Sequence, residues 1–138
     1  MQPLYTATVT AAGGRNGFVK STDGVLDLEV KMPKELGGAG GNATNPEQLF
    51  AAGYAACFDS ALNLVIRQKR VEVKETSVTA HVTIGKDDTG FGLSAQLDVK
   101  IDGVSEEVAN ELVNAAHQVC PYSKATRGNI DVKLNVLS

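Results

Sequence analysis

The chain has little of several residue types: it contains no tryptophan, only two cysteines and 5% aromatic residues among its 138 positions. Basic residues form no run or stripe, since the thirteen lysines and arginines are scattered and the net charge is −3. Nucleic acids and anionic membranes are therefore poor candidate partners, because both require concentrated positive charge. We expect no stretch to reach the roughly 20 apolar residues of a membrane span, and the start of the chain lacks the regions of a signal peptide. These absences predict a cytoplasmic protein.

The two cysteines, Cys57 and Cys120, are too few for the disulfide framework of a small secreted protein. In a reducing compartment such a pair is catalytic, metal-binding or inert. A zinc site needs three or four ligands, and His117 with Cys120 makes only one HxxC pair, so no metal site is expected. Ser60 and Ser123 lack the GxSxG setting of a hydrolase nucleophile, which leaves hydrolysis a weak alternative.

The hydrophobic pattern predicts one α+β domain over residues 1–138, because a chain of this length with 43% hydrophobic residues can bury a core without cross-links. Three short β-type runs at 4–10, 18–21 and 25–31 predict an antiparallel meander. Alternating apolar residues predict a hairpin from 71–84 and 91–101 and a last strand at 130–136. The expected fold is therefore an antiparallel sheet on two helices.

Two helices follow from capping and periodicity. Asn45 as N-cap, Pro46 at the first helical position and Glu47 in the first turn begin a helix of about 24 residues, which is apolar nearly all round and should be buried on more than one side. Ser105 caps a second helix, which Pro121 prevents from continuing. Its apolar stripe comprises Val108, Leu112, Ala116 and Val119.

The surroundings of the two cysteines differ. Cys57 lies in the middle of the long apolar helix, where a small buried and inert cysteine is the ordinary interpretation. Cys120 precedes Pro121 at a helix end, where backbone movement costs little and a resolving cysteine could approach a sulfenic acid. The contrast predicts an attacking and a resolving cysteine.

An attacking Cys57 must be a thiolate, and something positive has to lower its pKa. It stands eleven positions after Pro46, whereas the effect of the helix dipole fades within the first turn. The best placed cation is Arg15, in the tight GGRNG turn, although alone it also fits a solvated turn residue. Glu47 likewise fits an ordinary acid that complements the helix dipole.

Three segments carry a family resemblance: GGRNG at 13–17, NPEQLFAAGYAACF at 45–58 and VCPYSKATRGNIDV at 119–132. Together they resemble the organic hydroperoxide resistance proteins, the Ohr branch of the OsmC/Ohr family, and the match runs nearly from end to end. The segments FAAGYAACF and CPYSKATRGN resemble the Ohr branch more than the OsmC branch. The resemblance implies antiparallel sheets wrapped around two central helices in an intertwined homodimer.

The same resemblance implies a thiol-dependent peroxidase of the antioxidant stress response, which reduces organic hydroperoxides, including those of fatty acids, to alcohols. It implies an external dithiol reductant, dihydrolipoamide or a lipoylated protein, and no bound cofactor. Residue by residue, Cys57 matches the peroxidatic cysteine and Cys120 the resolving cysteine. Arg15 matches the catalytic arginine, and Glu47 matches the acid that holds it. The implied oxidised form has a Cys57–Cys120 disulfide, reached through a Cys57 sulfenic acid.

Helix geometry adds one prediction about where such a site lies. Glu47 and Cys57 are ten residues apart on one helix, hence about 15 Å along its axis, too far for both to hold the same Arg15. We therefore expect Glu47 of one chain to serve Cys57 of the other, so that the active sites of the homodimer are shared.

Two other functions are compatible with the residues alone. A lipid or small-molecule carrier could use an apolar pocket and keep its cysteines as passive core residues. Tyr54 and Phe50 are candidates by position to line an apolar entrance, but we assign them to the core, which aromatic residues on such a helix more often fill. A redox sensor could use the same disulfide to change a partner interaction without turning over. Unreactive Cys57 with tight fatty-acid binding would favour the carrier, and steady-state turnover with a dithiol separates an enzyme from the sensor.

Overall fold

The computed structural model describes residues 1–138 as an α+β chain with three α-helices and two three-stranded sheets, which confirms the predicted fold class. The chain divides into two compact units, Met1–Leu49 and Phe50–Ser138. The prediction of a single domain therefore stays a prediction. Each unit contains one of the two sheets.

The first unit is the predicted antiparallel meander, with β1 at Val9–Ala12, β2 at Gly17–Ser21 and β3 at Asp27–Val30. The first strand begins at residue 9 instead of residue 4, and the preceding residues are exposed. The β1–β2 turn requires glycine at its end, because a Cβ on Gly17 would lie 1.8 Å from the Ala12 carbonyl oxygen. A short 3-10 helix at Lys34–Leu36 follows the sheet.

Helix α1 spans Pro46–Lys69, as its capping sequence predicts. The Asn45 side-chain oxygen accepts a hydrogen bond from the Gln48 N–H at 2.9 Å, a cap that stabilises a helix by about 1 kcal/mol. Burial within the chain is one-sided, since Ala52 and Ala56 are exposed, and the prediction of burial on more than one side is not met within a single chain. The buried face comprises Tyr54, Phe58, Ala61, Leu62, Val65 and Ile66.

Helix α1 is also long and apolar enough to cross a membrane, with a mean hydropathy of 1.5 over its most apolar window. The expectation that no stretch would reach this size is therefore wrong. Core helices of soluble proteins pass the same test, and six side chains of α1 are buried in a core shared with a sheet and a helix from later in the chain.

The second sheet is the predicted hairpin with one further strand. Strands β4 at Glu75–Asp87 and β5 at Gly90–Asp102 are antiparallel and joined by a two-residue loop. Strand β6 at Val132–Leu137 pairs with β5 in parallel, so the expectation of a wholly antiparallel sheet is wrong at this strand. The buried face of β5 comprises Ala95, Leu97, Val99 and Ile101.

Helix α2 spans Glu106–Val119, and the Ser105 side chain caps it by accepting a hydrogen bond from the Val108 N–H. Its buried face is rotated from the predicted stripe: Val119 is 48% exposed, whereas Ala109 and Val113 join Leu112 and Ala116 in the core. A short helix α3 at Pro121–Thr126, not predicted from the sequence, begins directly after Cys120. The chain thus leaves helical conformation at Cys120, whose extended backbone caps the end of α2 and the start of α3.

Candidate active site

The two cysteine sulfurs lie close together inside the second unit. Cys57, on α1, is half-buried, and Cys120, at the junction of α2 and α3, is 1% exposed. Their Sγ atoms are 3.7 Å apart, and the Cys120 thiol donates to the Cys57 sulfur. The site therefore holds two free thiols in contact, the more accessible of which is the predicted attacking one.

The surroundings of Cys120 correct one expectation from the sequence. A helix end before Pro121 was expected to allow inexpensive backbone movement, yet Cys120 belongs to the core cluster and α3 continues on its other side. Its N–H donates to the Ala116 carbonyl and its carbonyl accepts from the Lys124 N–H. Cys120 is held from both sides because consecutive helices share it.

The pKa of the Cys57 thiol is not lowered by any cation of its own unit. Burial raises the pKa of the Cys57 thiol, the Tyr122 main-chain N–H opposes this by donating to the sulfur, and neighbouring Cys120 raises the pKa further. No positively charged group of Phe50–Ser138 is among the groups that shift it. Another source of positive charge is needed for a thiolate at neutral pH.

Arg15 and Glu47 form an ion pair inside the first unit. The Arg15 Nη1 donates to Glu47 Oε2 at 3.2 Å, and Nη2 lies 2.9 Å from Oε1. The second contact has the distance of an ion pair but not the angles of a hydrogen bond, so Oε1 is buried without a hydrogen-bond partner. The guanidinium and the carboxylate therefore touch at two nitrogen–oxygen contacts, and the 2.9 Å contact is attractive because the charges are opposite. The two side chains remain 27% and 13% exposed.

A buried cluster of hydroxyl groups lies beside the cysteines. The Tyr54 hydroxyl is 2.8 Å from Ser123 Oγ and 3.0 Å from Thr126 Oγ1, and His117 Nδ1 is 2.8 Å from the same Ser123 oxygen. Sequence reasoning missed this cluster, because it assigned Tyr54 to the core and weighed His117 and Ser123 only as a metal ligand and a nucleophile. The sequence feature that could have indicated this cluster is the placement of polar residues around Cys120, since His117 stands three residues before it and Ser123 three residues after it.

Tyr122 forms an aromatic wall near Cys57. Its ring lies on Gly53, one turn before Cys57 on α1, where a Cβ would come within 2.8 Å of the Tyr122 hydroxyl oxygen. Glycine inside a helix costs about 1 kcal/mol relative to alanine, and this close approach accounts for it. The Tyr122 ring also packs against Tyr54, with centroids 5.9 Å apart, and the residue is 41% exposed.

Two thiols in contact, one of them accessible, have the chemistry to interconvert between dithiol and disulfide. A family model described as OsmC-like protein matches residues 38–135 of the chain. The organic hydroperoxide resistance protein OhrA of Bacillus subtilis is 60% identical over 142 residues, covering 98% of this chain and 97% of the relative. The chain therefore belongs to the OsmC-like family, and its predicted resemblance to the Ohr branch is confirmed.

Solved structures agree with this assignment. The crystal structure of an organic hydroperoxide resistance protein from Elizabethkingia anophelis superposes with a TM-score of 0.94 at 60% identity, covering 99% of this chain and 98% of that one. A Vibrio cholerae protein described as a putative organic hydroperoxide resistance protein, with captopril bound in one of its active sites, gives a TM-score of 0.92 at 52% identity, covering 99% and 94%. The predicted OsmC/Ohr fold is confirmed.

Proposed function

We propose that the protein is a thiol-dependent peroxidase that reduces organic hydroperoxides, including those of fatty acids, to alcohols. The Cys57 thiolate attacks the peroxide oxygen that carries hydrogen, the O–O bond breaks, and the alkoxide leaves and takes a proton to become the alcohol. Cys57 becomes a sulfenic acid. The Cys120 thiol then displaces its hydroxyl group as water and forms the Cys57–Cys120 disulfide.

The observation that carries this proposal is the contact between the two sulfurs. At 3.7 Å the Cys120 sulfur is already at van der Waals distance from the atom that becomes oxidised. Cys57 alone is accessible to an incoming peroxide, because Cys120 is 1% exposed. The relatives named for organic hydroperoxide resistance, 60% identical in one case, support the same substrate class.

Activation of Cys57 requires a second subunit in this account. Within its own unit nothing cationic lowers the pKa of Cys57, whereas the Arg15–Glu47 pair is preassembled in the other unit. Glu47 and Cys57 lie on the same helix α1, about 15 Å apart along the axis. We therefore place Arg15 of the partner subunit, held by Glu47 of the partner subunit, next to Cys57. The guanidinium favours the thiolate and stabilises the charge that develops on the leaving alkoxide.

The exposed face of α1 supports a homodimer. Ala52 and Ala56 are exposed and four residues apart, and Leu64 is 39% exposed on the same helix. Small residues at this spacing form a shallow groove in which a second helix can pack closely. Burying this face against a second copy would account for the all-round apolar sequence of α1.

The proposed reductant is an external dithiol, dihydrolipoamide or a lipoylated protein, and no bound cofactor takes part. A thiolate of the dithiol attacks Cys57 Sγ of the disulfide and expels the Cys120 thiolate, since Cys120 is too buried to be attacked first. The second thiolate of the reductant then releases Cys57 and becomes a cyclic disulfide.

Steady-state turnover tests the proposal. Hydroperoxide consumption is measured with cumene hydroperoxide and either dihydrolipoamide or glutathione. We expect many turnovers with dihydrolipoamide, few with glutathione, and none in Cys57→Ser. A single turnover with every dithiol would favour a redox sensor, and no reaction at all would favour a carrier.

A further inference from the structure

The hydroxyl cluster beside the cysteines joins all three helices of the second unit. Tyr54 belongs to α1, His117 to α2, and Ser123 and Thr126 to α3. Ser123 Oγ is the central atom, since Tyr54 and His117 both lie 2.8 Å from it. Tyr54 and Ser123 are 0% exposed, so water does not compete for these hydrogen bonds.

All hydrogen bonds of the cluster can form together in only a few assignments of donor and acceptor. Thr126 Oγ1 donates to the Ser123 carbonyl oxygen, so its contact with Tyr54 needs the tyrosine as donor. Ser123 then donates to the Tyr54 oxygen and accepts from His117 Nδ1. Each hydroxyl donates one bond and accepts another, and loss of one member leaves a buried polar group without a partner, which is unfavourable.

The cluster members surround the two cysteines in sequence. Tyr54 stands three residues before Cys57 on α1, and His117 and Ser123 stand three residues before and after Cys120. The Arg127 guanidinium strengthens the α2–α3 connection by donating to the His117 carbonyl oxygen. The backbone on both sides of Cys120 is thus tied to the helix that carries Cys57.

We infer that Tyr54 and Ser123 are positioning residues for the resolving step: they hold the Cys120 backbone where its sulfur reaches Cys57 by side-chain rotation alone. The Sγ atoms are 3.7 Å apart in the dithiol, and a disulfide bond is about 2.05 Å long, so closure requires a shift of less than 2 Å. This inference rests on the proposed function for the identity of the oxidant, but not for the closing step itself.

Loss of the cluster should slow closure more than attack. A misplacement of about 1 Å can cost up to about a hundredfold in rate, and we expect closure to slow at least about tenfold in Ser123→Ala and Tyr54→Phe. Peroxide attack should change less, by about threefold at most, because α3 contributes to that step only the Tyr122 N–H that donates to Cys57.

The experiment follows the two steps separately. Reduced protein is mixed rapidly with cumene hydroperoxide and quenched with dimedone, and intact mass spectrometry distinguishes the Cys57 sulfenic acid adduct from the disulfide. The matched control is Thr76→Val, which removes a hydroxyl that ties α1 to β4 by donating to Asp59 Oδ1 at 2.7 Å, away from α3. We expect sulfenic acid to accumulate in Ser123→Ala and Tyr54→Phe and not in the control.

Closure of the disulfide as fast as in the wild type in both variants would overturn the inference. Equal slowing of closure in Thr76→Val, at a similar loss of thermal stability, would also overturn it.

A second oxidant makes failure of this inference distinguishable from failure of the proposed function. The Cys57 thiolate attacks glutathione disulfide, releases glutathione and forms a mixed disulfide, which Cys120 resolves by releasing the second glutathione. If the wild type ignores hydroperoxides, the proposed function fails, and accumulation of the mixed disulfide in Ser123→Ala still decides the inference.

Discussion

Cys57 and Cys120 differ in how far their sulfur atoms are exposed to solvent. Solvent reaches Cys57, whereas Cys120 faces Cys57 from within the core and is 1% exposed. Burial raises the pKa of the Cys57 thiol, so accessibility alone does not make it a nucleophile. In our account the missing charge is that of Arg15, which Glu47 already orients.

Removing the Arg15 charge should change the pKa of Cys57. Arg15→Ala should raise the pKa of Cys57, because removing a close positive charge disfavours the thiolate. The measurement is the pH dependence of iodoacetamide alkylation in a Cys120→Ser background, with Lys20→Ala as the matched loss of an exposed cation in the same unit. An unchanged alkylation midpoint in Arg15→Ala would contradict the role of Arg15.

Residue identity predicted the members of the candidate site only partly. The sequence indicated Cys57, Cys120, Arg15 and Glu47, and the structure brings these together as two separate pairs. The roles of all four stay predictions. The sequence led us to consider Ser123 only as a nucleophile, because its contact with Tyr54 joins residues 69 positions apart and no local pattern encodes such a contact.

Among the helices and strands, capping residues and apolar–polar alternation predicted an element correctly where these local patterns were strong. The Asn45 cap with Pro46 marked the start of α1, and alternation marked the β4–β5 hairpin. Helix α3 was missed because its six residues are too few for a periodic pattern. The parallel pairing of β6 was missed because alternation does not encode strand direction.

One carboxylate, that of Asp98 on β5, contacts side chains on both neighbouring strands of the second sheet, and we expect it to make stability depend on pH. The pKa of Asp98 is lowered from 3.8 to about 2, chiefly by hydrogen bonds from Gln96, then from Asn135 and His81. A lowered pKa contributes stability that is present above pH 3.8 and is lost as pH falls towards about 2. Asp98→Asn should therefore lower the free energy of unfolding at neutral pH and flatten its decline in this acid range.

Chemical denaturation between pH 7 and pH 2 measures this dependence. The control is Asp88→Asn, in the exposed β4–β5 loop, which should leave the curve unchanged. An Asp98→Asn curve parallel to that of the wild type would show that the carboxylate does not connect the strands in solution.

In the whole molecule, each proposed active site is completed by a second copy of the chain. The apolar face of α1 that remains exposed, with Ala52, Ala56 and Leu64, has no partner within the chain. Helix length separates Glu47 from Cys57 by about 15 Å. Shared active sites would explain both observations, and the ten-residue spacing of Glu47 and Cys57 on one predicted helix already indicated them from the sequence.

Mixed dimers test whether sites are shared. Glu47→Ala and Cys57→Ser chains are each expected to be nearly inactive as homodimers. A heterodimer of the two contains one site with Cys57 of the first chain and Arg15 and Glu47 of the second, so it should regain about half of the wild-type activity per dimer if each site acts independently. Purification with two different affinity tags isolates the heterodimer, and an inactive heterodimer would contradict the shared arrangement.

Peroxidase activity is tested most directly by counting free thiols in the purified, reduced protein after mixing with one equivalent of cumene hydroperoxide or hydrogen peroxide. The account predicts rapid loss of both thiols per chain with the organic peroxide, slow loss with hydrogen peroxide, and no loss in Cys57→Ser. In Cys120→Ser the single remaining thiol should be lost without forming an intrachain disulfide. Thiols that survive the organic peroxide unchanged would contradict the account.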